Sequence, residues 1–207
     1  QVDTILLPLV KKEISNYRSN ILSKKQPGWW TAKLYNEATE LKNLDRGIFS
    51  IYLFNIVGLQ KGEAIFQGAG IPHAYLEGQN VELMANSDNV LRGGLTPKHI
   101  DVPELMKHTL FEPIIPQPIK VEKLGKEKIY PCPVPDFGIS AIELEAGERF
   151  NGISTSLEIL LILEGAFLVK GIENTIFKSG EAVAISNNTS YEITATGKTL
   201  IYKAFVP

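Results

Sequence analysis

Among the side chains of one stretch, Gly62 to Asp101, that can hold a metal, move a proton or meet an anion, five stand out: His73, Tyr75, Glu82, Arg92 and Lys98. An imidazole can ligate a metal, a carboxylate can take up a proton, and a guanidinium or ammonium can neutralise the anion formed between them. That is the inventory of a metal-assisted proton-transfer site. Each residue also has a plainer use. His73 alone could be a hydrogen-bonded structural histidine, although Pro72 restricts the backbone before it and would hold its ring in place. A strand glutamate among apolar neighbours, such as Glu82, has its charged form disfavoured, which suits a group that must pick up a proton; it could equally be an edge-strand surface acid. Arg92 is followed by Gly93-Gly94, which leaves space, and few nearby acids could neutralise it, yet a lone loop arginine is commonly a solvated one. Tyr75 taken alone reads as core, and Lys98 taken alone as surface.

The elements that must position these groups read as short strands folding back at tight turns. Ile48 to Leu59, rich in β-branched and aromatic residues, is predicted to be a long buried strand. Ala64 to Gln67 follows as another, after the Lys61-Gly62 turn. Val81 to Ala85 alternates, placing Glu82 and Met84 on one face and Val81 and Leu83 on the other. Upstream, apolar residues at three- and four-residue steps predict a helix over 2–22, with Asp3 in its first turn. Pro27-Gly28 breaks that pattern, and a shorter helix is expected from Trp30 to Lys42. Downstream, Asp101 and Pro103 mark the start of a helix from Val102 to Leu110. Residues 111–135 hold half of the chain's prolines and read as an extended connector. From Phe137 on, strands are expected at Ile159–Leu163, Ala166–Val169, Ala182–Ile185, Tyr191–Thr194 and Leu200–Phe205, the pattern of a small β-barrel or sandwich.

A weak internal echo links the two parts. Lys61-Gly62-Glu63-Ala64-Ile65 returns as Ser179-Gly180-Glu181-Ala182-Val183. His73 lies eleven residues after Gly62, and Tyr191 lies eleven after Gly180. The echo predicts a second lobe of similar build in which a tyrosine stands where the first copy has its histidine.

At 207 residues the chain can bury a substantial core, and a net charge of −2 gives no reason to expect nucleic acid or an anionic membrane as partner. No apolar run reaches the length of a membrane span. The first residues lack the ordered basic and apolar regions of a signal peptide. Cys132 is the single cysteine, which points to a reducing, cytoplasmic setting. The start at Gln1 fits a portion of a longer protein better than a complete reading frame.

The stretch around the candidate residues resembles the C-terminal half of the type I phosphomannose (mannose-6-phosphate) isomerase family. The resemblance is carried by Gly62-Glu63-Ala64, Pro72-His73-Ala74-Tyr75-Leu76, Glu82, Met84-Ala85, Ser87-Asp88-Asn89, Leu91-Arg92 and Leu95-Thr96-Pro97-Lys98. It is dense there and weaker elsewhere, and His99 departs from the pattern. The family implies a mainly β fold of cupin-type barrels or jelly-roll lobes with a short N-terminal helical segment. It divides the chain into the end of a helical domain (1–45), the second half of a catalytic barrel (46–110), the proline-rich connector (111–136) and a cupin-like lobe without a metal site (137–207).

The resemblance implies a zinc enzyme that interconverts mannose 6-phosphate and fructose 6-phosphate through an enediolate. His73 would be one zinc ligand, and Arg92 would stabilise the enediolate. Glu82 would transfer a proton or bind a sugar hydroxyl, and Tyr75 and Lys98 would bind substrate. His99 and His108 are poorer ligand candidates. The family's other ligands, a Gln-x-His pair and a further Glu, belong to the N-terminal half, and no Gln-x-His occurs here. The chain is therefore expected to be inactive alone, with zinc weakly held, and to need the N-terminal half or a second copy as partner beside its phosphosugar substrate. The alternatives are a non-catalytic cupin module, sugar-binding or structural, and another cupin-type sugar isomerase.

Overall fold

The computed structural model describes residues 2–87, 89–170 and 175–207; Asp88, expected to shape the turn before Arg92, lies outside the described residues. The chain divides into two compact units: Gln1–Gln60, Gln67–Gly78 and Asp88–Gln117 in one, and Lys61–Phe66, Gln79–Ser87 and Pro118–Pro207 in the other.

The first unit is built on helices. In α1 (Val2–Arg18), Leu6, Val10 and Ile14 recur every fourth residue and are buried together. The helix stops earlier than the periodicity predicts. Asn20 takes φ 55°, and the Ile21 N–H turns back onto the Asn16 carbonyl at 3.0 Å, a left-handed closure that caps the last turn. The second helix, α2 (Pro27–Tyr35), begins and ends before the expected Trp30–Lys42. Pro27 does not break structure here: it occupies the first turn, where its missing N–H costs nothing.

The expected strand at 48–59 does not form. Residues Ile48–Leu53 are α3, and Ile48 and Ile51, one helical turn apart, are both buried. Ile48 packs into the same cluster as Leu6, Val10, Ile14, Ala32 and Leu44. Helical spacing delivers both isoleucines to that helical core, and no strand among the described residues of this unit could pair with an extended chain. The chain turns extended at Phe54. Between there and Asp101 the described residues form no strand, so Ala64–Gln67 and Val81–Ala85 are not ladder-bonded as predicted. The alternation at 81–85 survives all the same: Val81 and Leu83 are half-buried, while Glu82 and Met84 are exposed. The next helix, α4 (Val102–His108), starts as expected, with the Asp101 carboxylate accepting the Glu104 N–H at 3.0 Å.

The second unit is a jelly roll. Strands β3 (Gly138–Leu144), β4 (Arg149–Ile153), β5 (Glu158–Glu164), β6 (Ala166–Lys170), β7 (Ile176–Lys178), β8 (Ala182–Ile185), β9 (Ser190–Ala195) and β10 (Thr199–Phe205) form two antiparallel sheets. One is ordered β3-β10-β5-β8, the other β4-β9-β6-β7, which is the eight-stranded double Greek key of cupin-type folds. Alternation explains the burial: Tyr191, Ile193 and Ala195 of β9 point inward with Phe167 and Val169 of β6, against Ile142, Ile162 and Ile201 of the facing sheet.

Inside the stretch read as a connector, residues Glu122–Leu124 (β1) and Glu127–Tyr130 (β2) form a hairpin that extends the first sheet beyond β3. Its prolines flank the hairpin and leave its ladder donors intact. The echo seen in the sequence has a backbone counterpart, since Gly62 and Gly180 both close their turns with positive φ, 85° and 89°.

One end of the jelly-roll interior is polar. Lys203 of β10 lies 2.8 Å from the Glu127 carboxylate and 3.6 Å from that of Glu158. Ser140 donates to Glu127 at 2.5 Å, and Tyr191, reaching over from the other sheet, donates to Glu158 at 2.7 Å. Burial raises the Tyr191 phenol pKa well above its ordinary value, and the hydrogen bond to Glu158 adds to the effect.

Candidate active site

His73 sits in a segment without regular secondary structure. Its Nδ1 is 3.1 Å from the Ile71 carbonyl oxygen. A carbonyl only accepts, so Nδ1 carries the proton and the lone pair falls on Nε2. That is the tautomer in which a ligating or proton-accepting imidazole is held by a backbone group. The Tyr75 ring meets His73 edge to face, with centroids 6.1 Å apart, and both residues are exposed.

Two residues further on, Glu77 ties this segment to the helices. It pairs with Lys24 and, at 2.7 Å, with Lys33 of α2. Each ammonium also lies 5.3 Å from the centre of the Trp29 ring. The Lys24 hydrogen bond, followed by that from Lys33, lowers the Glu77 carboxyl to about 2. A single surface ion pair contributes little, but a carboxylate shared by two cations over one aromatic is a network.

Arg92 is half-buried, and among the described residues no carboxylate pairs with it. The loop that follows is fixed from below by Asp45. One oxygen of Asp45 accepts the Gly47 N–H at 2.7 Å and the other accepts the Leu95 N–H at 3.0 Å. Lys98 is exposed, and its N–H donates to the Thr96 hydroxyl at 3.2 Å, tightening the Thr-Pro-Lys turn. Glu82 belongs to the other unit and is exposed. Among the described residues, no group of three or more His, Cys, Asp or Glu could hold a metal ion. Neither Asp45 nor Glu77 was among the residues singled out from the sequence. In the sequence Asp45 only precedes an Arg46-Gly47 turn and Glu77 opens a Glu77-Gly78-Gln79-Asn80 turn, and their partners lie far away along the chain.

Comparison with known proteins identifies relatives of the chain. No family model matches the chain. The mannose-6-phosphate isomerase of Escherichia coli (strain K12) is 42% identical over 179 residues, covering 84% of this chain and 44% of that protein. The Salmonella typhimurium enzyme is 45% identical over 152 residues, covering 70% of this chain and 38% of that protein. The chain is a relative of the mannose-6-phosphate isomerases. It matches a C-terminal portion of them and spans less than half the length of these two. A crystal structure of the Salmonella typhimurium mannose 6-phosphate isomerase, described as bound to its substrate and to zinc, superposes with a TM-score of 0.68 at 38% identity. It covers 78% of this chain and 42% of that one. Fold and sequence thus agree on the same relatives, and the mainly β, cupin-type architecture is theirs as well. No helix among the described residues is long and apolar enough to cross a membrane.

Proposed function

We propose that this chain is part of a zinc-dependent mannose-6-phosphate isomerase, interconverting mannose 6-phosphate and fructose 6-phosphate. The observation that carries the reading is the identity of 42% over 179 residues to a protein of that name. The His73 geometry supports it: the ring is oriented through Nδ1, with Nε2 left for a ligand. His73 would be one zinc ligand, and the remaining ligands would come from the rest of a longer protein. Zinc, when bound, polarises the substrate's carbonyl and hydroxyl oxygens.

The chain's own residues would do the rest. Moving a proton between C1 and C2 places negative charge on two neighbouring oxygens, and the Arg92 guanidinium would meet that charge with a planar pair of donors. Glu82 would hand on a proton or bind a sugar hydroxyl. The Tyr75 hydroxyl would orient the sugar, and the Lys98 ammonium would meet the phosphate or the anionic intermediate. Residues 46–110 would complete a catalytic barrel when strands from the remainder of the protein pair with them, and residues 137–207 would form a companion lobe without a metal of its own. The cytoplasm is the proposed setting, in keeping with a single cysteine.

The test is a zinc titration and a coupled isomerase assay on residues 1–207 alone, and again with the remaining portion of the protein supplied. Turnover of mannose 6-phosphate that appears only in the second case is the expected result. No turnover in either case would favour a non-catalytic sugar-binding module, and turnover of a different phosphosugar would indicate another isomerase of this type.

A further inference from the structure

The backbone just after Arg92 is held in an unusual shape. Gly94 has φ 143° and Leu95 has φ 51°. A leucine at positive φ is uncommon, and such a conformation persists only where its surroundings over-determine it. Two observations show what does so here. The Asp45 carboxylate bridges the Gly47 and Leu95 amides, at 2.7 and 3.0 Å. The two backbones also touch: a Cβ on Gly94 would lie 2.7 Å from the Gly47 Cα, and one on Gly47 would lie 2.8 Å from the Leu95 nitrogen. Gly47 itself is buried at the start of α3, whose first residue, Ile48, is anchored in the helical core. A continuous path therefore runs from that core, through Asp45 and Gly47, to the loop that carries Arg92.

We infer that Asp45 is a positioning residue for Arg92: by bridging the Gly47 and Leu95 amides it holds the Gly94–Leu95 turn in its left-handed form and so fixes the backbone that presents the guanidinium. This rests on the reading of Arg92 as a substrate-side group. The reason for such a device is geometric. A guanidinium that must meet charge as it develops is effective only if it is already in place, and a displacement of about 1 Å can cost about 100-fold in rate. Arg92 stands in a segment with no ladder or helix to hold it, so the carboxylate beneath the next turn takes over that role.

The experiment uses the complete protein carrying Asp45→Asn. Asparagine keeps one acceptor but turns an NH2 toward the second amide, so one bridge is lost with little change in volume. The expected result is at least ~10-fold faster hydrogen exchange at the Leu95 amide and a changed Arg92 Nε–H signal, with the β10 amides still protected. Turnover is expected to fall ~10- to 100-fold while KM moves by no more than about twofold. Gly94→Ala attacks the same turn from the other side with Asp45 intact, and it is expected to give the same signature; if Asp45→Asn loses the β10 protection, this variant decides. Unchanged Leu95 exchange overturns the proposal, and so does faster exchange with the Arg92 signal and turnover unaltered. If the unmodified complete protein does not isomerise mannose 6-phosphate, the isomerase reading fails, while the Leu95 and Arg92 signals still decide whether Asp45 orders the turn.

Discussion

At Arg92 the planar fork of the guanidinium, and not only its charge, is what two adjacent oxygens of an enediolate would meet. If the complete protein is the proposed isomerase, Arg92→Lys is therefore expected to lower turnover far more than substrate affinity, as read from kcat and KM measured together. Comparable losses in both would count against the enediolate role. Glu77 gives a second residue-level expectation, this time in pH. Its carboxyl titrates at about 2 in the folded chain against an ordinary 4.5. A depressed carboxyl contributes stability that is fully present above 4.5 and is lost as pH falls toward 2. The chain's only two tryptophans, Trp29 and Trp30, lie beside its lysine partners, so their emission should report the release of this contact near pH 2 and not near 4.5. In Glu77→Gln that acid transition should vanish. Of the candidate groups, His73, Tyr75, Glu82, Arg92 and Lys98 could be proposed from the sequence because residue type and motif travel together along the chain. Asp45 and Glu77 were not, because what gives each its role is a partner about fifty residues away, Leu95 for one and Lys24 for the other.

Among the elements, β5, β6, β8 and β9 were readable because burial alternates along each of them, so the two-residue period shows in the sequence, whereas β4 and β7 bury no residue fully and were not named from it. The run from Ile48 to Leu59 misled for a physical reason. β-branched and aromatic residues favour a pleated, half-buried surface, but here Ile48 and Ile51 find a helical core one turn apart, and tertiary burial outweighs propensity. Residues 111–135 misled in the opposite sense, since their prolines sit outside a short hairpin whose own residues pair normally. The polar end of the sandwich draws its side chains from several strands, and among the described residues Lys203 is the cation that its two acids share. With that side chain 12% exposed and its carboxylate partners 10% and 6%, Lys203→Met is expected to cost about 3–5 kcal/mol, because two buried acids are left without their shared cation. Adding Glu127→Gln and Glu158→Gln should cost less than the sum of the separate changes, as measured by denaturant unfolding.

For the whole molecule, a lone imidazole leaves most of a zinc ion's coordination to water, so residues 1–207 by themselves are expected to bind zinc weakly. Supplying the remaining portion should raise zinc affinity and isomerase activity together, and a rise in one without the other would separate metal binding from catalysis. The order of the strands carries a different kind of consequence. β10 runs between β3 and β5, pairing with both, yet it is the last strand in chain order. While the polypeptide is being synthesised, β3 and β5 must therefore wait with an empty lane between them, their facing edges bare, until Phe205 has emerged. The sandwich closes only once β10 is available, through contacts far apart in sequence. Its folding should be slow for its size, and during that interval a neighbouring nascent chain can fill the lane that β10 has not yet reached.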